Sequence, residues 1–155
     1  MTPLYTIGYE RSGLERFVET LWAGGVRQLL DIRRLPLSRK PGFAKKALGA
    51  RLAAEGIAYV HLVELGTPPE LRAFLKAERD YPQFFVAYRA YLAGKEDALA
   101  AAGELVRASP SALFCFERDP RECHRLAVAE ALCARDPELE PIHLEVPAEL
   151  GAGPG

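Results

Sequence analysis

Leu113-Phe114-Cys115-Phe116-Glu117-Arg118-Asp119-Pro120-Arg121-Glu122-Cys123-His124-Arg125 decides the fold, because in one short run an apolar strand gives way to a helix start. Residues 111–116 are apolar and partly aromatic, the composition of a short strand buried on both faces. Asp119 offers an N-cap, Pro120 suits the first helical position and Glu122 completes a capping-box spacing, so the sequence predicts a helix over residues 121–135. On this reading Cys123 sits in the first turns of that helix. Helical side chains lean toward the N-terminus, so its sulfur faces the unpaired amides and the positive end of the macrodipole. Such a place lowers a thiol pKa and attracts anions. A small packed core cysteine is the plain alternative for Cys123, and it is the preferred reading for Cys133.

The same alternation continues outward in both directions. Residues 4–8 read as a first strand, followed by a helix over 13–23 that Ser12 and Glu15 would box and Gly24-Gly25 would end. A second strand, 26–32, runs into a Pro-rich and basic loop, then a helix over 43–55 stops at Gly56 before a third strand at 57–62. Helical patterns over 70–79, 83–92 and 96–108 are punctuated by Pro82 and Gly94, and 142–146 is a last strand. Strands alternating with helices predict a single α/β domain over 1–150, with a mostly parallel sheet of about five strands covered on both faces. Residues 151–155 read as a frayed tail.

Composition narrows the classes. With 155 residues, 49% of them hydrophobic and 26% charged, the chain can bury a core of its own. No apolar run approaches the ~20 residues of a membrane span and no signal-peptide pattern opens the chain, so a cytoplasmic protein is expected. Three cysteines make no disulfide framework and are better read as thiols in a reducing compartment. Arginine outnumbers lysine fifteen to five and asparagine is absent, which fits a thermophile or a GC-rich genome equally.

A net charge of -1 gives no global signature for binding a polyanion. Locally the picture differs, since residues 33–51 hold seven basic side chains and no acidic one. That patch can recruit an anion, although Lys45, Lys46 and Arg51 read equally well as the solvated face of a helix. Ligands of open α/β sheets bind beyond the carboxyl ends of the strands. Here those positions hold Tyr9, Glu10 and Arg11, then Arg33, Arg34, Ser38 and Arg39, then Gly66 and Thr67, and finally 117–125. Asp31 ends an apolar strand, where an unpaired carboxylate is costly, so it is expected to pair with Arg33 or Arg125.

In combination these segments resemble the domain of unknown function family DUF488. Its members open on a Thr-Ile-Gly strand, as at Thr6-Ile7-Gly8, and end a second strand in Asp-x-Arg with Pro-x-Ser, as at Asp31, Arg33, Pro36 and Ser38. Gly56, Ile57 and Tyr59 with Leu65-Gly66 match a third motif, and Cys115, Glu117, Cys123, His124 and Arg125 match the Cys-x-Glu and Cys-His-Arg signature. Two departures stand out: Tyr9-Glu10 replaces the usual His-Ser, and Thr67 follows Leu65-Gly66 where a second glycine is usual. The family carries no agreed activity, so the resemblance implies a site and leaves the reaction open.

Three chemistries can be weighed at this site. Zinc would need four ligands, or three and an open position, and the spacing of Cys115, Glu117, Cys123 and His124 is no familiar knuckle, so no metal is expected. A nucleophilic Cys123, favoured by nearby arginines and served by His124 or Glu117 for proton transfer, is coherent. The Cys-x(5)-Arg loop of cysteine phosphatases is absent, and a Cys115–Cys123 redox couple would have to bridge a strand and a helix. Lacking a glycine-rich phosphate fingerprint after the first strand, the chain is expected to carry no cofactor. The resulting expectation is a site for a phosphate-bearing ligand, with Tyr9, Arg33, Arg34, Ser38, Arg39 and Arg125 binding and Cys123, His124 and Glu117 as candidate catalytic groups. A nucleic-acid-binding module without catalysis is the alternative, since positive charge is interleaved with Tyr9, Phe43 and Tyr59.

Overall fold

A computed structural model describes residues 1–149, so the expected tail at 151–155 lies outside the described residues. Five strands, β1 (Thr2–Gly8), β2 (Gln28–Asp31), β3 (Ala58–His61), β4 (Ser111–Cys115) and β5 (Leu139–His143), form one sheet in the order β3-β2-β4-β1-β5. Every neighbouring pair is parallel, so the expected α/β architecture holds. The helices are α1 (Leu14–Ala23), α2 (Lys45–Ala54), α3 (Pro69–Glu78), α4 (Tyr81–Ala93), α5 (Glu96–Ala108) and α6 (Arg125–Arg135).

The period-2 alternation of the strands divides the core into two halves. Ile7, Leu29, Ala112 and Phe114 pack with Phe17 and Leu21 of α1 and Leu48 and Leu52 of α2. Their neighbours Leu4, Leu30, Leu113 and Cys115 face the other way, against Phe84 and Tyr88 of α4, Leu99 of α5 and Val128 of α6. Of the residues on α3 none is buried, and only Leu71, Phe74 and Leu75 lean on the core. The helix therefore stands at the edge of the layer.

Local details depart from the sequence reading where tertiary bonds override the caps. Gly13 rather than Ser12 precedes α1, with no side-chain cap; Ser12 is fully buried and turns its hydroxyl to the Glu10 carbonyl. The last strand lies earlier than expected, because pairing with β1 begins at Leu139, opposite Thr2 where β1 starts, and stops at His143, opposite Thr6. Val146 stays in the core without belonging to the strand. The largest correction concerns residues 121–135. Asp119 caps only a single 3-10 turn, Pro120–Glu122; Cys123 then extends (φ -135, ψ 140), and α6 starts anew at Arg125 with His124 as its N-cap residue. Cys123 therefore precedes the helix.

The connections after β1 and β2 run toward β3 on the α1/α2 face, whereas those after β3 and β4 return toward β5 on the other face. Of neighbouring strands, β2 and β4 thus send their connections apart, which sets the strand-order switch between them, while the loops after β4 and β1 cross to opposite faces of the sheet. They remain tightly apposed at their roots: Tyr9 and Glu10 both donate their amides to the Phe116 carbonyl, at 3.1 and 2.8 Å. Gly8 is required there, because a Cβ would run into the Glu117 carbonyl oxygen and lie 3.0 Å from Nη1 of Arg125. Gly8→Ala is expected to lower stability by about 1–3 kcal/mol through overpacking. A shift of the denaturant midpoint checks this; an unchanged midpoint would show that the two loops part freely.

Candidate functional site

Past the carboxyl ends of β1, β2 and β4 lies an open cavity of about 430 Å³. Tyr9, Arg33, Arg34, Cys115, Phe116, Glu117 and His124 contribute from the strand ends, and Arg72, Lys76 and Arg79 from α3 and its C-cap. The sequence-predicted residues Tyr9, Arg33, Arg34, Glu117 and His124 are thus brought together. Cys123 and Arg125 are buried and do not line the cavity, and neither do Ser38 and Arg39. The Ser38 hydroxyl instead accepts the amide of Lys40 (3.1 Å) within its own loop.

The predicted pairing of Asp31 falls to Arg33. The Arg33 guanidinium reaches the carboxylate through Nε (2.9 Å) and Nη2 (2.8 Å), its backbone amide adds a third bond (3.0 Å), and the Tyr59 hydroxyl donates a fourth. Burial, reinforced by Asp31, pushes the Tyr59 phenol above its ordinary pKa. Nη1 of Arg33 donates to the Phe43 carbonyl at 2.8 Å, and the guanidinium lies 4.7 Å from the centre of the Phe114 ring. Arg33 therefore lines the cavity with its charge matched by Asp31 and its donors spent on the scaffold. Tyr9 is held in the same way, stacked on Phe43 with centroids 4.5 Å apart.

Arg125 is the largest fully buried side chain and sits between β1 and the loop after β4. Nε donates to Thr6 Oγ1 (3.2 Å), Nη2 to the Arg118 carbonyl (3.1 Å), and Nη1 to the Glu117 carbonyl and Cys115 Sγ (3.3 Å). Burial lowers its pKa to about 10, against the pull of Glu117 and Asp119, so the guanidinium is charged at neutral pH.

Cys115 and Cys123 meet across the end of β4 and the extended residue before α6, joined as a disulfide. The extension at Cys123 carries its sulfur to the strand, which a position inside a helix would not have done. Beside them the His124 ring bonds the Ile32 carbonyl through Nε2 (2.7 Å) and turns Nδ1 toward Cys123 Sγ (3.8 Å). A carbonyl only accepts, so Nε2 carries the proton and Nδ1 keeps its lone pair. Burial, with Arg125 and Arg72 adding to it, lowers the His124 pKa to about 4. Burial also raises the carboxyl of Glu117, whose Oε2 lies 3.6 Å from Cys115 Sγ.

The model of the family described as "Domain of unknown function DUF488" matches residues 13–132. The chain belongs to the DUF488 family. Neither the curated proteins nor the solved structures gave a match. In this DUF488 chain the motif residues at the ends of β2 and β4 form the floor of the cavity, and the basic residues of α3 form a wall. Reading the sequence alone misses that wall. Its signal is nonetheless present, because Arg72, Lys76 and Arg79 recur at i, i+4 and i+7 and so share one helical face. Among the described residues no helix is long and apolar enough to cross a membrane.

Proposed function

We propose that this protein binds a phosphate-bearing small molecule in the cavity past the carboxyl ends of β1, β2 and β4. One observation carries the reading: Arg34, Arg72, Lys76 and Arg79 line one cavity and take part in no ion pair among the described residues. Elsewhere on the surface the arginines do find carboxylates, as Arg51 does with Glu15 and Glu55 and Arg89 does with Glu130. Four cations outside any direct ion pair outnumber Glu117 and Glu122, the carboxylates that line the same concavity, and so raise the local concentration of anions. Guanidinium groups match phosphate oxygens through paired donors. The volume also lies at the scale of small-ligand sites, roughly 300–1,000 Å³. Phe116 and Tyr81 give the same cavity apolar surface for the body of a ligand. A concave site on a chain of net charge -1 favours a small ligand over a nucleic-acid duplex. The thiol-dependent chemistry expected of Cys123 is not carried forward, because that sulfur is sealed below the cavity and bonded to Cys115.

Calorimetric titration with pyrophosphate and with a nucleoside diphosphate tests the proposal. Removing one charge-assisted hydrogen bond should cost about 1.5–3 kcal/mol, so Arg72→Ala and Arg79→Ala should each weaken binding roughly 10- to 100-fold. Binding that ignores both substitutions would reject the cavity as the site. Retention of a single-stranded oligonucleotide with a steep salt slope, and of neither small probe, would transfer the reading to nucleic acid.

A further inference from the structure

We infer that Cys115, Cys123 and His124 form, in the reduced protein, a binding site for a zinc-class divalent metal with one coordination position open to the cavity. The two sulfurs and an imidazole nitrogen lie within 4.8 Å of one another, and all three residues are buried. His124 is prepared as a ligand. Its Nε2–H is anchored on the Ile32 carbonyl, and Nδ1, with no partner among the described residues but the Cys123 sulfur, is aimed into the cluster. That is the outer-shell arrangement that fixes the tautomer and ring orientation of metal-bound histidines.

The sulfurs are prepared as thiolates. Cys115 Sγ lies 3.3 Å from the Arg125 guanidinium, and Cys123 Sγ lies 3.5 Å from the Arg125 amide in the first turn of α6. A neighbouring guanidinium and a helix N-terminus both favour the thiolate that a metal requires. The backbone spacing points the same way. The two Cα atoms stand 7.4 Å apart. Relaxed disulfides hold theirs at about 4.4–6.8 Å. Two thiolates sharing one tetrahedral zinc at ~2.3 Å each need sulfurs about 3.8 Å apart, which a wider backbone spacing accommodates.

Thiolate and imidazole together select zinc over magnesium or calcium. Three protein ligands leave a fourth position, the arrangement of exchangeable rather than closed zinc sites. Cys115 and His124 both line the cavity, so that position faces it. The Glu117 carboxylate, 3.6 Å from Cys115 Sγ, is the oxygen donor next to the cluster. Formation of the site from the disulfide is a balanced exchange. A thiol reductant supplies two electrons and is itself oxidised to a disulfide, the two cysteine sulfurs take up two protons, and the metal then displaces both protons from the thiols.

The test uses the full chain, reduced under nitrogen and freed of reductant, with cobalt(II) as spectroscopic probe and zinc as competitor. One equivalent of cobalt should produce the intense visible bands of a tetrahedral centre together with a thiolate charge-transfer band, and zinc should abolish both. Zinc should also shield Cys115 and Cys123 from iodoacetamide while Cys133 remains open to it. Cys123→Ser and His124→Gln should each weaken zinc binding by more than the roughly 10- to 100-fold that loss of an outer-shell partner costs. Cys133→Ser should leave it unchanged. Absence of the tetrahedral spectrum in the reduced wild-type protein would overturn the inference, as would a stoichiometry of one metal per two chains. Equal alkylation of all three cysteines with and without zinc would do the same even if the variants fail to fold.

Discussion

Replacing Asp31 with alanine is expected to destabilise the fold by about 3–5 kcal/mol, the cost of orphaning one partner of a buried ion pair. Asp31 is fully buried at the end of β2, and its carboxylate gathers the backbone amide, Nε and Nη2 of Arg33 and the hydroxyl of Tyr59. Removing it leaves a guanidinium with 7% exposure facing a phenol, with no other carboxylate bonded to either among the described residues. The effect exceeds that of a surface pair, about 0–1 kcal/mol, because water cannot replace the missing acceptor. Arg51→Ala, which removes two exposed ion pairs, supplies the contrast in the same denaturation series. Asp31→Asn should lie between them, since it retains the shape and one acceptor oxygen. An Asp31→Ala midpoint within the range of the Arg51 variant would show that solvent reaches the pair.

The fold was legible because its signals were periodic. Runs such as Val26 to Ile32, too short for helices and bounded by Gly25 and the proline-rich loop, could be little else than buried strands, and their alternation with helical patterns implied parallel pairing. Asp31 was legible for the opposite reason, as a charge where the pattern demands an apolar residue. What the sequence concealed were decisions made by contacts distant in the chain. Asp119, Pro120 and Glu122 carry every local mark of a long helix. Yet the chain spends that cap on a single 3-10 turn, which lets Cys123 reach Cys115 and His124 reach the Ile32 carbonyl. The basic face of α3 was readable in spacing but had no meaning until the fold set it opposite the ends of β2 and β4. Arg33 and Arg125 show the converse. Both stand at predicted ligand-binding positions, and both turn their donors inward.

Arg125→Ala is expected to be comparably damaging, about 3–5 kcal/mol, for a different reason. No carboxylate holds this guanidinium in a direct ion pair among the described residues; it bonds Thr6, Cys115 and the carbonyls of Glu117 and Arg118. Burying a charge in this way is itself costly, so its removal returns some desolvation energy. Against that stand the carbonyls left without a donor, each costing about 1–3 kcal/mol, and the void left by a side chain with 0% exposure. The second effect wins because the void lies between the end of β1 and the loop after β4, where Gly8 already stands against the Glu117 carbonyl. Arg125→Met separates the two contributions, restoring volume without donors, and should recover only part of the stability. Arg125→Lys keeps the charge but cannot serve Thr6 and two carbonyls at once, so it too should fall short. Calorimetric unfolding of the three variants decides the matter. Full recovery by methionine would mean that Arg125 acts as filling, and full recovery by lysine that its charge alone matters. Partial recovery by both is the result expected of a guanidinium that ties β1 to the loop after β4.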